Sequence, residues 1–324
     1  MPETLDFEEP IAVLLKEIET LGALPSTLAR DREIESLHRR IESVRAELYR
    51  SLTPWQRVQV ARHPNRPGLE FFIQTLFTGF TEIHGDRRFA DDHAIMTGFA
   101  DYKGQPVLLV GHVKGAGGDT KEKIFRNFGY ARPEGYRKAL RAMHLAEKFS
   151  RPILVFVDTP AAYPGIESEE RGVAEAIAVN LRDMMVLDAP IVVLVSGEGG
   201  SGGALGIAVG DRVLMQEFAI YSVIPPEGCA AILWRDPAKK VEAAEALKIT
   251  APDLLAASII DDIVREPAGG SHANPAAATA LVDEALVRTL AEVSAMSSEA
   301  RLAARYTKFR LMGRAGTDFV DAGS

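Results

Sequence analysis

Five glycines fall among the seven residues from Gly197 to Gly203, in the string Gly197-Glu198-Gly199-Gly200-Ser201-Gly202-Gly203-Ala204-Leu205. Three chemistries fit it. Gly197, Gly199 and Gly202 satisfy G-x-G-x-x-G, the turn that cradles a dinucleotide pyrophosphate, and Glu217 follows at about the spacing of a ribose-binding acid. Against this, Gly210-Asp211 closes the next helix after roughly two turns, short for a crossover of that kind. Gly199, Ser201 and Gly203 satisfy G-x-S-x-G, a nucleophile elbow. A serine nucleophile needs a histidine base. Of His38, His63, His84, His93, His112, His144 and His272, only His272 follows Ser201, and it lies in the loop-like string Gly269-Gly270-Ser271-His272-Ala273-Asn274. The third chemistry is that of the backbone. Glycines entering a short helix leave amides without intrahelical partners and let a substrate approach closely, so two such donors can hold an oxyanion. That needs no histidine. A plain strand-to-helix turn needs fewer glycines.

Two more loops leave from neighbouring strands. Lys114-Gly115-Ala116-Gly117-Gly118-Asp119-Thr120-Lys121-Glu122-Lys123 lacks GK[ST] and is not a Walker A loop; Lys114 and Lys121 suit contact with an anionic group, and a solvated loop is the plainer alternative. Asp158-Thr159-Pro160-Ala161-Ala162-Tyr163-Pro164-Gly165 brings Ala161 and Tyr163 to the same edge, where open α/β sheets bind ligands. Glu167, Glu169 and Glu170 read as an acidic helix start rather than a metal site, because no histidine accompanies them.

These loops need a sheet to hold them. Residues 106–112, 152–158 and 190–196 are near-continuous apolar runs, as in strands buried on both faces. Helical patterns over 133–149 and 172–187 separate them, giving strand–helix–strand units with right-handed crossovers. Residues 211–217, 219–224 and 259–264 predict further strands, and 275–311 an Ala-rich helical tail. The first sixty-odd residues read as helix without strand: one helix starts near Pro10, and a second carries Ile34, Leu37, Ile41, Val44 and Leu48 three and four apart. That seam suits a helical hairpin lying on the body or on a partner. Arg62-His63-Pro64-Asn65-Arg66-Pro67-Gly68 reads as a linker by composition.

Length and composition bound the rest. The chain has 324 residues, 47% hydrophobic and 25% charged, with net charge −8, which fits a folded protein and argues against bulk nucleic-acid binding. One cysteine, Cys229, excludes an internal disulfide framework or a cysteine-rich zinc module. The acidic N-terminus from Met1 to Glu9 has no apolar h-region, and no apolar run is long enough to span a bilayer, so a soluble cytoplasmic protein is expected.

Taken in order, Leu5-Asp6-Phe7-Glu8, Ala61-Arg62-His63-Pro64, Gly85-Asp86-Arg87, Ala90-Asp91-Asp92, Gly111-His112, Thr120-Lys121-Glu122-Lys123, Arg126-Asn127-Phe128-Gly129, Pro133-Glu134-Gly135-Tyr136-Arg137-Lys138, Asp158-Thr159-Pro160, Ala162-Tyr163-Pro164-Gly165, Glu169-Glu170-Arg171-Gly172, the glycine string and Pro226-Glu227-Gly228-Cys229-Ala230 resemble the bacterial acetyl-CoA carboxylase carboxyltransferase α-subunit family. The likeness runs nearly end to end. It implies a ClpP/crotonase-like α/β fold, a spiral of ββα units over residues 66–324, with a helical N-terminal extension over 1–65 and C-terminal helices. It implies carboxyl transfer from carboxybiotin, borne by a biotin carboxyl carrier protein, to acetyl-CoA, giving malonyl-CoA for fatty acid biosynthesis. The implied partners are a carboxyltransferase β subunit in an α2β2 assembly, which carries the zinc ribbon, and biotin carboxylase, the ATP-using component of the larger complex.

In the resembled family, amides of the α subunit's glycine turn stabilise the biotin enolate oxygen. On this chain they map to Gly202 and Gly203, with substrate contacts expected from Gly199, Gly200, Ser201, Ala161, Tyr163, Lys114 and Lys121, and no metal in this chain. Such chemistry needs donors and positioning rather than a protein nucleophile. A serine hydrolase using Ser201 is the alternative. Ala161 stands where the family usually has glycine, Pro225 where it has a helix-capping serine, and the 114–120 loop is longer than usual.

Overall fold

The computed structural model describes residues 5–115 and 119–313. Met1 to Thr4, and Ala116, Gly117 and Gly118 of the lysine loop, lie outside the described residues. The centre is one sheet of β1 (Thr78–Glu82), β2 (Ile95–Tyr102), β3 (Gln105–His112), β4 (Ile153–Thr159), β5 (Ile191–Gly200), β6 (Arg212–Gln216), β7 (Ile220–Ser222) and β8 (Asp262–Val264). Its order is β1-β2-β3-β4-β5-β6-β8, antiparallel as far as β3 and parallel beyond. The short β7 pairs with the far end of β5, through Glu198, Gly199 and Gly200.

Alternation along the apolar runs divides the core. Leu108, Val110, Ile153, Val155, Val157, Ile191, Val193 and Val195 face one layer, and Val107, Leu109, Leu154, Phe156, Val192 and Leu194 the other. Both sets are buried, which is why the central stretches of these strands are apolar. Antiparallel β1 and β2 were absent from the sequence reading. β2 mixes Thr97, Gly98 and Asp101 into its apolar residues, and β1 is mostly exposed, so neither presents a long apolar run.

The helices follow from the two faces. α1 (Glu9–Gly22) and α2 (Leu28–Arg50) form the expected hairpin, with Ile11 and Leu14 packed on Leu37 and Ile41. The Tyr49 hydroxyl donates to Glu8 Oε1 at 2.8 Å, and its ring meets Phe218 edge-on at 5.4 Å, tying the hairpin to the sheet. After α3 (Pro54–Ala61) come residues 62–68 and then α4 (Leu69–Leu76). α5 (Thr120–Phe125) precedes α6 (Pro133–Lys148), α7 (Ile166–Glu170) and α8 (Val173–Val186); α6 and α8 cover the first face. Next are α9 (Ser201–Leu205), α10 (Pro226–Leu233), α11 (Lys240–Ala246), α12 (Ala251–Ala256) and α13 (Gly270–Ala273). α14 (Pro275–Ser294) joins α4 on the second face, and α15 (Ser298–Leu311) closes the chain.

The linker reading of residues 62–68 is corrected in one respect. The segment does join two helices, but Arg66 is buried: its guanidinium grips Glu266 at 2.6 and 2.9 Å and donates to the Ser196 carbonyl at 2.6 Å. Glu266 also accepts from the Phe218 and Ser271 amides, both at 2.8 Å. Proline and glycine mark the absence of regular structure here, not the absence of contacts.

α15 is fastened in a similar way. The Arg305 side chain is 0% exposed and bonds both oxygens of Asp211, at 2.8 and 2.9 Å, and the carbonyls of Met184, Leu187 and Ala189. Replacing Arg305 by Met leaves the buried Asp211 carboxyl without its cation, with only the Ile191 amide still donating to it. We expect a loss of about 3–5 kcal/mol, read as a lower urea midpoint.

Candidate functional site

β5 does not stop at Ser196 as its apolar run suggests; it continues to Gly200 because β7 pairs with its end and Thr159 stands opposite Gly199. The chain then enters α9, a single turn, with Ser201 at a left-handed φ of 49°. The glycines are required for different reasons. A Cβ on Gly200 would lie 1.8 Å from the Pro160 carbonyl oxygen, and one on Gly203 2.4 Å from Ala161 C and Ala162 N. Contacts that short are impossible, so backbone touches backbone. A Cβ on Gly202 would meet only Ile177 Cδ1, at an ordinary 3.6 Å. Gly200 caps α9 without a side chain, and among the described residues no side chain is seen to accept from the first-turn amides of Ser201, Gly202 and Gly203. Gly202 is partly accessible and Gly203 buried. Ala161 does not take a left-handed φ, so its methyl sits there without backbone strain.

A charge cluster flanks the turn. Lys114 Nζ lies 2.6 Å from both Asp158 Oδ1 and Glu198 Oε2. Arg62 Nε lies 2.6 Å from Glu198 Oε1, and Arg62 Nη1 2.6 Å from Glu227 Oε1. Burial opposes ionisation of Glu198, but Lys114 and Arg62 outweigh it and hold the carboxyl down at about 2. Burial likewise opposes charge on Lys114, and Asp158 and Glu198 more than offset it, raising its pKa. Lys114, Asp158, Glu198 and Arg62 line a cavity of about 530 Å³, with His112, His63, Phe71, Lys123 and Phe128 also on its walls.

His112 is 1% exposed, and neither ring nitrogen has a hydrogen bond of normal geometry. Burial, and then the neighbouring Lys114 charge, push its pKa down to about 3, with the Gly203 backbone acting weakly the other way, so the ring is neutral at working pH.

Of the sequence-predicted site residues, Lys114 lines the cavity, while Gly199 and Gly200 line a small adjoining cleft with Pro160, Ser222 and Pro225. Gly202, Gly203, Ser201, Ala161, Tyr163 and Lys121 line neither. Tyr163 stacks under the Arg132 guanidinium at 5.0 Å, and Lys121 is exposed on α5. Sequence reasoning missed Arg62, Asp158 and Glu198. Each was in a quoted string, but their meeting depends on the register of β3, β4 and β5.

Two of the sequence readings fall. His272 is stacked on His63, ring centroids 3.8 Å apart, in a short helix rather than a loop, and Ser201 has no hydrogen bond to a histidine among the described residues. The serine-hydrolase alternative is therefore unsupported. Glu217 is occupied by Arg265, at 2.9 Å, and by the Glu266 amide, and α9 is too short for a dinucleotide crossover. Among the described residues no group of His, Cys, Asp or Glu is arranged to hold a metal, and no helix is long and apolar enough to cross a membrane.

The fold is shared with a transcarboxylase and a malonate decarboxylase of known structure. Transcarboxylase 12S matches with a TM-score of 0.57 over 75% of this chain and 45% of its own, at 18% identity. The Pseudomonas malonate decarboxylase MdcD–MdcE hetero-dimer matches at 0.54 over 67% and 88%, at 16% identity. The fold thus places the chain in the crotonase-like α/β class. At the level of sequence, the family described as acetyl co-enzyme A carboxylase carboxyltransferase-like matches residues 4–313. The acetyl-coenzyme A carboxylase carboxyl transferase subunit alpha of Geobacter metallireducens is 53% identical over 96% of this chain and 97% of its own, and that of Halalkalibacterium halodurans 51% identical over 97% and 96%. The chain belongs to the acetyl-CoA carboxylase carboxyltransferase family.

Two measurements check the geometry. Gly200→Ala and Gly203→Ala should each lose about 1–3 kcal/mol or more through overpacking, whereas Gly202→Ala should stay within about 1 kcal/mol of wild type by urea denaturation. Neutral His112 should make folding pH-dependent. Its folded pKa of about 3 lies below the ordinary 6.5, so its contribution is present above pH 6.5 and lost as pH falls towards 3. The slope is about 1.4 kcal/mol per pH unit, and His112→Gln should remove that share of the acid sensitivity in urea midpoints.

Proposed function

We propose that this chain is the α half of a biotin-dependent acetyl-CoA carboxylase carboxyltransferase, accepting the carboxyl group from biotin on a carrier protein and delivering it to acetyl-CoA to give malonyl-CoA for fatty acid synthesis. Its partners in this reading are a β subunit, in an α2β2 assembly, the biotin carboxyl carrier protein and, in the larger complex, biotin carboxylase. Zinc belongs to the β subunit and the enzyme to the cytoplasm. What carries the proposal is the end-to-end family match together with a first helical turn at Gly202 and Gly203 whose amides have no side-chain acceptor among the described residues.

The chain's part in the chemistry is to orient and to donate. When carbon dioxide leaves the carrier's cofactor, negative charge grows on an oxygen, and fixed amides lower the barrier by meeting it without reorganising. The close approach of Gly200 and Gly203 to the Pro160–Ala162 backbone supports that role for the Gly202 and Gly203 N–H groups, because it fixes the turn that carries them. The single cysteine supports placing the zinc ribbon on the partner. His112 is buried and neutral and Glu198 is ion-paired, so neither competes with the backbone donors of the turn.

The test is co-expression with a β subunit and an assay of malonyl-CoA. Gly202→Val should fold and assemble, yet lose about a hundredfold or more in rate. Wild-type turnover by that variant would remove the oxyanion assignment. Ser201→Ala should keep carboxyltransferase activity, since no step uses its hydroxyl.

A further inference from the structure

We propose that Lys114 is a positioning residue for carboxyl transfer: clamped between Asp158 and Glu198, it holds the end of β5 from which the glycine turn departs, and it does not bind the substrate anion. The inference rests on the reading of that turn as the oxyanion site. Three adjacent parallel strands bring the groups together. Lys114 follows β3, Asp158 lies near the end of β4 and Glu198 near the end of β5, so their side chains stand in a row along one sheet edge.

The charges already match each other. Lys114 reaches two carboxylates at 2.6 Å, and Arg62 reaches Glu198 at 2.6 Å and Glu227 at 2.6 Å. Two cations face three carboxylates, so the row offers an incoming anion no excess positive charge. A lysine meant for a phosphate or carboxylate ligand presents a free ammonium; this one lines the cavity with its ammonium already between two carboxylates at 2.6 Å. Ion pairs at this depth are a costly way to gain stability, since apolar packing of equal volume does as well or better. Their particular product here is geometry.

That geometry reaches the turn through the main chain. Asp158 Oδ1 accepts the Glu198 amide hydrogen at 2.9 Å and fills the space beside Gly197, where a Cβ would lie 2.4 Å away. Glu198 has both carboxylate oxygens held, one by Lys114 and one by Arg62. Gly199 and Gly200 follow at once and run into the contact with Pro160. Releasing Lys114 frees one oxygen of Glu198 and leaves Asp158 Oδ1 with the Glu198 amide alone, which loosens the stretch of β5 that aims the Gly202 and Gly203 amides.

The test uses the assembled α/β complex carrying Lys114→Met, Lys114→Arg or Glu198→Gln. The charged and titratable groups facing Glu198 are Lys114 beyond β3, Asp158 on β4, Arg62 beyond α3, Glu227 of α10 through Arg62, and neutral His112 beside Lys114. With Lys114 gone, Arg62 alone opposes burial, so the Glu198 pKa rises and protonation of the carboxylate moves towards the pH range in which the enzyme is assayed. Lys114→Met should therefore lower kcat about tenfold or more, leave KM for acetyl-CoA within about twofold, and add an acid limb to kcat absent from wild type. Lys114→Arg should restore most of the rate. Glu198→Gln should lose as much, without the acid limb.

A raised KM at unchanged kcat would make Lys114 a substrate ligand and overturn the proposal. So would an unchanged rate, or a loss that shows no acid limb and is not restored by arginine. Carbon-13 NMR of glutamate-labelled complex, with the Glu198 signal assigned by its absence in Glu198→Gln, reads the same titration without turnover. In wild type the signal should stay ionised across this range, and in Lys114→Met it should titrate. A wild-type complex that makes no malonyl-CoA would count against the proposed function, while the NMR arm would still decide the role of Lys114.

Discussion

The rest of the site depends on one contact between backbones, where the Pro160 carbonyl lies in the volume that a side chain on Gly200 would need. Two strand ends cannot come this close unless one is glycine. Because they do, β5 runs on past the main sheet, acquires β7 as a second neighbour and hands the chain directly to α9. Gly203 repeats the contact three residues later against Ala161 and Ala162, so α9 is pinned at its N-cap and at its middle. Amides on a loop would drift with it. These are fastened to the sheet.

A second constraint keeps that contact in register. Arg62 and Arg66, four residues apart, leave an irregular segment in different directions. Arg62 pairs with Glu198 and Glu227 beside the turn, while Arg66 takes the Ser196 carbonyl and Glu266 beneath it. One strap thus holds β5 on both sides of Gly197. The N-terminal hairpin feeds the strap through α3 and rests on Phe218 by way of Tyr49, and Phe218 in turn donates its amide to Glu266. The helical extension is therefore linked to the site by an unbroken series of contacts.

The legible parts of the sequence are those whose physics is local. Apolar runs marked β3, β4 and β5 because both faces of those strands are buried, and the seam through Leu37 and Ile41 marked the hairpin. The glycine string announced a close approach. What stayed hidden was set by register. β1 and β2 escaped because their polar and glycine residues break the period, and the extension of β5 to Gly200 escaped because β7 is only three residues long. The row of Lys114, Asp158 and Glu198 lies across three strands, and no spacing within one strand announces it. Lys114 looked like an anion contact because the carboxylates that occupy it are far away along the chain.

The glycines themselves sharpen the functional reading. At positions 197, 200 and 203 the neighbours demand glycine, since a Cβ would strike Asp158 or the Pro160–Ala162 backbone. At 199 it would strike the Tyr221 ring, 2.6 Å away. Gly202 is different. It has no left-handed φ, and a Cβ there would meet only one methyl at van der Waals distance. In a helical turn, alanine at such a position is better than glycine by roughly 1 kcal/mol. Folding alone therefore favours a side chain at 202, and the chain has none. Packing accounts for its four neighbours and leaves this glycine to be explained by what approaches it from outside, as an amide that donates to an incoming oxyanion requires.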